Sequence, residues 1–455
     1  GGNVMDRPTE NKPMTVPERA KQIGETQAET EPDWIRWAWV EPAVWTARML
    51  TALERGVKGG QWFSLVDKVY ALPNLHAAFA QVKANAGAAG VDHQTIEIYE
   101  QRLAENLGRL AASLRDGSYR PQAVRRVWIP KPGSREQRPL GIPTVQDRVA
   151  QAALANVIEP IFERDFAEHS YGFRPARSCK DALRRVEELL KAGFTWVVDA
   201  DLKSYFDTIP HAQLLERVSE KIADGRVLNL IQAFLSQGVL SEGKELAPEA
   251  GTPQGGVISP LLANIYLDPL DRLVAQAGFE MVRYADDFVI LCRSEAEALS
   301  ALNQVRQWTV QAGLTLHPEK TRIVDWAASD GFDFLGYHFG PDRKWPSRKS
   351  LKKFKDAIRI VTGRNNGQSL RAIIADLNPL LSGWFEYFKH AHHYIFKSLD
   401  SWIRMRLRSI LRRRQGRYGR SRGTDQVRWP NAYFEARGLH SLASAHARAS
   451  QSSRR

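Results

Sequence analysis

The sequence has only two cysteines, Cys179 and Cys292, among 455 residues. Because they lie far apart and in no metal-binding spacing, they predict free thiols in a reducing compartment rather than a disulfide framework or a zinc site. No stretch approaches the roughly 20 uninterrupted apolar residues of a membrane-spanning helix, so we expect no membrane partner. The polar N-terminal residues also lack the apolar core of a secretory signal. These absences predict a cytoplasmic protein.

Acidic residues are scarce at the C-terminal end. Residues 341–455 contain 26 Lys and Arg but only 7 Asp and Glu, a net charge of +19, whereas the whole chain carries +13. Residues 1–340 therefore carry 13 − 19 = −6. This asymmetry predicts that a polyanion is held largely by the C-terminal region, with strongly salt-dependent affinity. A disordered, merely solubilising arm is the alternative for the last ~30 residues.

Two adjacent carboxylates, Asp286 and Asp287, stand within an apolar run at 281–291. The alternation around them predicts a strand–turn–strand hairpin that places both acids at its tip. Neighbouring negative charges penalise each other, and a hard divalent cation such as Mg²⁺ relieves that penalty. A solvated turn is the simpler alternative, since Asp is common in turns.

A second group of acids strengthens the metal hypothesis. The aromatic and β-branched run at 194–202 predicts a strand that carries Asp199 and Asp201 on one face. Three carboxylates from two neighbouring strands can hold two Mg²⁺ ions roughly 3.5–4 Å apart. One ion would activate an attacking 3′-hydroxyl and the other would stabilise the leaving pyrophosphate. The pattern therefore predicts nucleotidyl transfer.

A series of short motifs runs from residue 90 to residue 337 in an order that resembles one protein family. The motifs are Gly-Val-Asp at 90–92, Val-Trp-Ile-Pro-Lys-Pro at 127–132, Arg-Pro-Leu-Gly-Ile-Pro at 138–143, Tyr-Gly-Phe-Arg-Pro at 171–175, Asp-Leu-Lys-Ser-Tyr-Phe-Asp at 201–207, Gly-Thr-Pro-Gln-Gly-Gly-Val-Ile-Ser-Pro at 251–260, Tyr-Ala-Asp-Asp at 284–287, Leu-His-Pro-Glu-Lys-Thr at 316–321 and Phe-Leu-Gly-Tyr at 334–337. The chain resembles bacterial group II intron-encoded proteins, which are reverse transcriptases with maturase activity.

The resemblance implies an α+β, right-hand polymerase fold, with fingers and an antiparallel palm sheet followed by an α-helical thumb/maturase domain. The domains expected from it are 1–75 as an N-terminal extension, first disordered and then helical, 76–190 as fingers, 191–340 as palm, 341–415 as thumb/maturase, and 416–455 as a basic tail that binds DNA or RNA. Helical spacing of apolar residues after Ser369 and again from Leu399 to Ile410 supports the helical C-terminal region.

The resemblance also implies a catalytic set. It consists of Asp201, Asp286 and Asp287, with Lys320 as a candidate general acid near the pyrophosphate. The residues expected to hold the two Mg²⁺ ions are Asp201, Leu202, Asp286 and Asp287. Asp201 is favoured over Asp199, because the family places an aromatic residue five positions after the metal ligand and Phe206 fits that spacing.

Two further sets of residues follow from the resemblance. Lys131 and Arg138 are expected to cover the incoming triphosphate, and Phe206 is expected to exclude a 2′-hydroxyl. Gln254 lies in a glycine-rich segment whose small residues are expected to let the base pair and nucleotide approach. The predicted RNA contacts are Lys352, Lys353, Arg404, Arg408, Arg412, Arg413 and Arg414.

The function implied is that of an RNA-directed DNA polymerase that binds its own group II intron RNA and assists its splicing. It would copy that RNA from dNTPs onto a primer at a target DNA during retrohoming, near the bacterial nucleoid. The absence of cysteine after Cys292 predicts a form without the Cys/His-rich endonuclease domain, so the primer would come from elsewhere. Two alternatives stay open: a free-standing reverse transcriptase in defence or repair, and a splicing-only RNA-binding cofactor. The sequence indicates no oligomeric state.

Overall fold

A computed structural model describes residues 35–130, 136–241, 244–246, 248 and 250–452 of the chain. The predicted triphosphate contact Lys131 lies outside these residues, as do residues 1–34 of the expected N-terminal extension. The chain forms two compact units, and it passes from the first to the second between Ile323 and Val324.

The first unit combines twelve helices with two sheets among its described residues. Its helices are α1 Ala47–Arg55, α2 Val66–Val69, α3 Leu72–Asn85, α4 Ile96–Gln101, α5 Leu103–Asp116, α6 Val145–Glu163, α7 Cys179–Lys191, α8 Tyr205–Thr208, α9 His211–Ser219, α10 Gly225–Leu235, α11 Ser259–Gln276 and α12 Glu295–Gln311, with a short 3-10 turn at Lys58–Gly60. Its strands are β1 Val124–Pro130, β2 Gln137–Ile142, β3 Trp196–Asp201, β4 Val239–Ser241, β5 Lys244–Leu246, β6 Glu280–Tyr284, β7 Asp287–Cys292 and the start of β8, Arg322–Asp325.

The sheet that carries the acids has the strand order β6-β7-β3-β8. Strand β7 pairs antiparallel with both β6 and β3. Every residue of β7 from Phe288 to Cys292 is buried, so this strand is covered on both faces and reads as a continuous apolar run. Helix α12 packs on β3 and β7, and α7 packs on β6 and β7. The antiparallel palm sheet expected from the sequence is confirmed.

A second sheet in the same unit has the order β2-β1-β4-β5. Strands β1 and β2 form an antiparallel hairpin in which Ile129 lies opposite Arg138. Strand β4 runs parallel to β1 and antiparallel to β5. This hairpin contains residues 127–130 and 138–142 of the two motifs expected in the fingers, and it leaves the indole of Trp128 half exposed.

The second unit places a small sheet ahead of a helical bundle. Its strands β9 Phe332–Phe334, β10 Tyr337–Phe339 and β11 Lys344–Pro346 form an antiparallel meander, and its helices are α13 Arg348–Val361, α14 Leu370–Phe388, α15 Tyr394–Arg414, α16 Gly423–Arg428, α17 Asn431–Glu435 and α18 Leu442–Ser452. The Ser369 hydroxyl caps α14 by accepting from the Ala372 amide. Leu377 and Leu381 of α14 and Ile403 and Leu407 of α15 are buried at the predicted helical spacing. The helical C-terminal region is confirmed.

Three of the expected domain boundaries do not coincide with a break between elements that pack together. The boundary at 75/76 falls inside α3, and the boundary at 340/341 falls between β10 and β11, which are paired strands of one sheet. The third, at 415/416, separates no tail, because α18 packs on α15 and α14. Buried Phe434 and Leu442 provide the apolar contacts that fold this segment back, and the Asp400 carboxylate accepts from the Leu442 and Ala443 amides. The boundary at 190/191 lies within the first unit.

Candidate active site

The two adjacent acids lie at a tight turn between β6 and β7, as the alternation predicted. Tyr284 pairs with Asp287 as the last rung of the hairpin, so only Ala285 and Asp286 form the turn. Ala285 has a φ of 58°, in the left-handed region that an alanine adopts only at a cost. The structure therefore holds this turn in a fixed, strained shape, which is typical of functional sites.

The third carboxylate reaches the same place from the neighbouring strand. Asp201 is the last residue of β3, and its partner in register on β7 is Asp287, whereas Asp199 lies opposite Val289. Opposed residues of antiparallel strands have Cα atoms about 4.5–5.5 Å apart. The register thus brings Asp201 next to Asp287 and near Asp286. It supports the preference for Asp201 over Asp199 as the metal ligand, which stays a prediction.

The electrostatics of these acids favour a bound cation. Burial, together with the negative charges of the three neighbouring acids Asp199, Asp286 and Asp201, raises the pKa of Asp287 to about 8. The pKa of Asp286 is raised as well, mainly by burial and also by the charge on Asp201. Neighbouring carboxylates that are partly or wholly buried repel one another, and a divalent ion bound to their hard oxygen donors would relieve that repulsion.

Two cations of the first unit already contact the acids of β3. The Lys320 ammonium donates to Asp201 Oδ2 at 2.9 Å, and this bond raises the pKa of Lys320. The Arg322 guanidinium donates through Nε to Asp199 Oδ2 at 3.3 Å. Asp199 is therefore paired with an arginine, while Asp201 faces both Lys320 and the hairpin acids. Lys320 thus lies beside Asp201, and its role as a general acid stays a prediction.

The carboxylates at this site are of the kind that binds Mg²⁺, but their side chains are not yet arranged as a complete set of ligands. In the part of the chain that the structure describes, no group of three or more His, Cys, Asp or Glu side chains is already arranged to hold a metal ion. One oxygen of Asp201 is instead bonded to Lys320. The predicted ligand Leu202 has an apolar side chain and can offer only its backbone carbonyl. The bonds from Lys203 N to Thr315 O and from His317 N to Asp201 O flank that residue, so its own carbonyl points away from that strand pair.

An aromatic cluster borders the acids. Phe206 is half-buried on α8, and the ring of Phe173 meets it edge-on with centroids 6.5 Å apart. Phe173 also lies 6.3 Å from the Tyr284 ring, and it has a φ of 55°, an outlier for a bulky residue. Sequence reasoning found Phe206 but missed Phe173 as a site residue. The signal that reveals it is the backbone angle, which the sequence does not carry.

Glycines of the segment at 251–256 are required for close packing of the chain, which the sequence did not predict. A Cβ atom at Gly251 would lie 2.7 Å from the Phe206 carbonyl oxygen, and one at Gly255 would lie 2.5 Å from the Gly141 carbonyl oxygen. These glycines therefore let one part of the chain approach another. The Gln254 amide lies 3.4 Å from Asp207 Oδ1, and both residues line a cavity of about 270 Å³. The other predicted nucleotide contact, Arg138, extends from β2.

Comparisons with known proteins agree with this geometry. The family described as "Reverse transcriptase (RNA-dependent DNA polymerase)" matches residues 129–339, and the "Group II intron, maturase-specific domain" matches residues 351–429. Protein YkfC of Escherichia coli (strain K12) is 34% identical over 328 residues, which cover 64% of this chain and 84% of that protein. The chain belongs to the group II intron reverse transcriptase–maturase family.

Another relative and one solved chain also match part of the sequence. The group II intron-encoded protein LtrA of Lactococcus lactis subsp. cremoris is 40% identical over 210 residues, which cover 46% of this chain and 34% of LtrA. A solved chain titled "Partial Cas6-RT-Cas1--Cas2 complex" is 25% identical, covers 55% of this chain and 41% of its own, and has a TM-score of 0.36, too low to support an argument. As a reverse transcriptase–maturase, the chain is an RNA-directed DNA polymerase of a class that uses divalent metal ions. None of its described helices is long and apolar enough to cross a membrane.

The predicted RNA contacts divide into two groups in the maturase region. Lys352 and Lys353 on α13 are exposed, as are Arg413 and Arg414 at the end of α15. Arg404 is half-buried on the same helix. The four exposed cations remain proposed RNA contacts. Arg404 can contact RNA only through the exposed part of its side chain.

Arg408 and Arg412, which the sequence also predicted as RNA contacts, are buried. Arg408 donates to the Trp429 carbonyl and to Asn431 Oδ1, both at 2.8 Å. Arg412 donates to Asp425 Oδ2 at 3.0 Å. Both guanidinium groups thus hold the C-terminal segment on α15. The sequence could not reveal this, because the partners follow 13 to 23 residues later, in α16, in α17 and in the residues between these helices.

Proposed function

We propose that this reverse transcriptase–maturase copies its intron RNA into DNA at Asp201, Asp286 and Asp287, using two Mg²⁺ ions. The observation that carries the proposal is the register that sets Asp201 opposite Asp287, directly beside the turn that contains Asp286. Bound by these carboxylates and the Leu202 carbonyl, the ions would activate the primer 3′-hydroxyl and stabilise the leaving pyrophosphate.

The residues around the acids have separate roles in this proposal. Lys320 stays protonated beside Asp201, so it can deliver a proton to the leaving pyrophosphate. Phe206, whose ring contacts that of Phe173, would exclude a 2′-hydroxyl by steric collision. Arg138 can fork onto phosphate oxygens of a dNTP, and Lys131 can add a point charge. Gln254 lines the cavity of the glycine-rich segment, where it would contact the nucleotide.

The second unit is proposed to bind the intron RNA and to support its folding for splicing. The exposed cations Lys352, Lys353, Arg413 and Arg414 supply phosphate contacts, while the RNA itself carries the splicing chemistry. In retrohoming, the same RNA would be copied onto a primer provided at the DNA target. Because that target is chromosomal DNA, the proposed place of action is the bacterial nucleoid.

Crosslinking the protein to RNA in its native host, followed by sequencing of the bound RNA, tests this function. We expect one dominant structured RNA whose ends match a spliced intron. A diffuse mixture of cellular RNAs would contradict the maturase role and would favour a free-standing reverse transcriptase. Primer extension on an RNA template by the purified chain tests the polymerase role separately, because a splicing-only cofactor would make no cDNA.

A further inference from the structure

A fully buried ion pair lies directly behind the catalytic turn. The side chains of Arg283 on β6 and Asp271 on α11 have no exposed surface. Arg283 Nε donates to Asp271 Oδ1 at 2.7 Å, and Arg283 Nη2 donates to Asp271 Oδ2 at 2.6 Å, a bidentate fork. Removing two charges from water is costly, and apolar residues of similar volume often stabilise a fold as well or better. Stability alone therefore does not explain why this pair is present.

The rest of the guanidinium reaches the turn itself. Arg283 Nη1 donates to the Ala285 carbonyl at 2.7 Å and to Asn264 Oδ1 at 3.0 Å, while Nη2 also donates to Ser170 Oγ at 2.8 Å. The Ala285 carbonyl belongs to the peptide that leads into Asp286. Its orientation determines where the backbone places the two acids. One side chain thus makes five hydrogen bonds, of which four anchor it and one holds the turn.

The segment at 169–172 encloses the turn from another side. The Tyr171 amide donates to the Arg283 carbonyl at 2.8 Å, and the Arg283 amide donates to the His169 carbonyl at 2.9 Å. A Cβ atom at Gly172 would lie 2.3 Å from the Ala285 amide nitrogen, so glycine is required for this approach. Asn264 Nδ2 donates to the Gly172 carbonyl at 2.8 Å, which connects this segment to the same network. The strained turn is therefore held from two sides.

We propose that Arg283 is a positioning residue that, anchored on buried Asp271, fixes the peptide before Asp286 and so sets the geometry of the catalytic acids. Arginine is needed because its planar fork provides donors to Asp271, Ala285 and Asn264 at once. Lysine would keep the charge beside Asp271, but its compact ammonium cannot span these acceptors. This inference rests on the proposed polymerase site and adds to it a buried support that does not touch substrate.

The first test compares Arg283→Lys with Arg185→Lys. Arg185 is the matched control, because it donates to Glu280 on the same strand at 3.0 Å but at the surface, where both side chains are 39% exposed. Primer extension on an RNA template then gives kcat, the dNTP KM and the half-saturating Mg²⁺ concentration.

For Arg283→Lys we expect kcat to fall about 10–100-fold, as a displacement on the order of 1 Å in a catalytic group causes. The dNTP KM should stay within about threefold and the Mg²⁺ requirement should rise at least about threefold, since the acids and not the nucleotide site are displaced. Arg185→Lys should stay within about twofold of the unaltered chain.

The double variant Arg283→Met with Asp271→Leu separates positioning from stability. It removes both buried charges together, so the fold is expected to survive. A folded double variant, judged by thermal unfolding and by RNA binding, should still lose kcat at least about tenfold. Unchanged kcat in the folded double variant, or in Arg283→Lys, would overturn the proposal.

A milder variant decides the question if neither of these folds. Ser170→Ala removes one neutral acceptor of Arg283 and leaves both charges paired. A fall in kcat of about 2–5-fold with unchanged RNA binding supports positioning, and an unchanged kcat counts against it. The activity of the unaltered chain distinguishes failure of the proposed function from failure of this inference. If it makes no cDNA, the proposed function fails; if it is active and the variants equal it, only this inference fails.

Discussion

The two compact units arrange charged side chains in opposite ways. In the first unit, individual cations meet individual acids near the catalytic turn, as Lys320 does with Asp201 and Arg283 does with Asp271. In the second unit, Lys352, Lys353 and Arg413 point into solvent. Ion pairs in the first unit hold individual atoms in place, whereas exposed cations in the second unit create a positive electrostatic potential over part of its surface. Under the proposed function, catalysis and RNA binding would therefore depend on charge through different physics.

Not every cation of the second unit is exposed to solvent. Arg412 and Arg413 are neighbours in one run, yet Arg412 is bonded to buried Asp425 while Arg413 is exposed. Successive residues of a helix differ by about 100° in direction, so a basic run cannot all face one partner. The net charge of this region therefore overstates its RNA-binding surface, since part of it holds the fold together.

The largest effect of a single cation is expected at Lys320. Lys320→Met should lower kcat about 10²–10⁴-fold, because it removes both a proton donor and the counter-charge of Asp201. Single-turnover primer extension measures this. Lys83→Met is the control, since Lys83 makes a comparable but distant surface pair with Glu100. A loss of less than about threefold would mean that cations of the first unit do not act individually.

Sugar selection should depend on shape rather than charge. Phe206→Val should reduce the preference for dNTPs over rNTPs by about 10–100-fold, because the ring that excludes the 2′-hydroxyl is lost. Steady-state kcat/KM values for a matched dNTP and rNTP measure the ratio. Phe63→Val, at an exposed aromatic residue of the same unit, should leave it unchanged. An unchanged ratio in Phe206→Val would place the selective residue elsewhere, with Phe173 as the next candidate.

Metal affinity should depend on pH through Asp287. Its pKa of about 8 in the folded chain exceeds that of an unfolded aspartate, so in metal-free protein the associated stability is present at low pH and is lost as pH rises through 8. Mg²⁺ requires the ionised form, so its apparent affinity should rise about tenfold per pH unit below 8 and then level off. The Mg²⁺-dependent shift in Tm at several pH values measures it. Asp287→Asn should abolish the dependence, and a flat profile in the unaltered chain would contradict the account.

The smallest effects on RNA binding are expected from the exposed lysines of the second unit. Lys352→Ala with Lys353→Ala should weaken RNA binding a few-fold and reduce the salt slope of log Kd by about 1.4–1.8. Arg412→Ala should instead destabilise the fold by about 3–5 kcal/mol, since it leaves Asp425 buried without its partner. Filter binding across salt concentrations, with thermal unfolding beside it, separates the outcomes. Equal slopes for the lysine variant and the unaltered chain would remove α13 from the interface.

The sequence predicted the elements whose signal is local. Apolar alternation around Asp286 gave the hairpin, and the strand ending at Asp201 was correct to within a few residues. The helical spacing after Ser369 was equally reliable. Features that depend on distant partners were not accessible. Arg283 looked like an ordinary strand residue because Asp271, Asn264 and Ser170 reach it only after folding. Arg408 and Arg412 looked like surface cations for the same reason.

The central claim is that polymerase chemistry and RNA binding are separable, and one double variant tests it most directly. Asp286→Ala with Asp287→Ala removes both acids of the turn and leaves every cation of the second unit in place. We would measure cDNA synthesis and intron splicing assistance in the same preparation. The account predicts that cDNA synthesis is abolished while splicing assistance and RNA affinity stay close to those of the unaltered chain. Equal loss of both activities in a folded protein would contradict it.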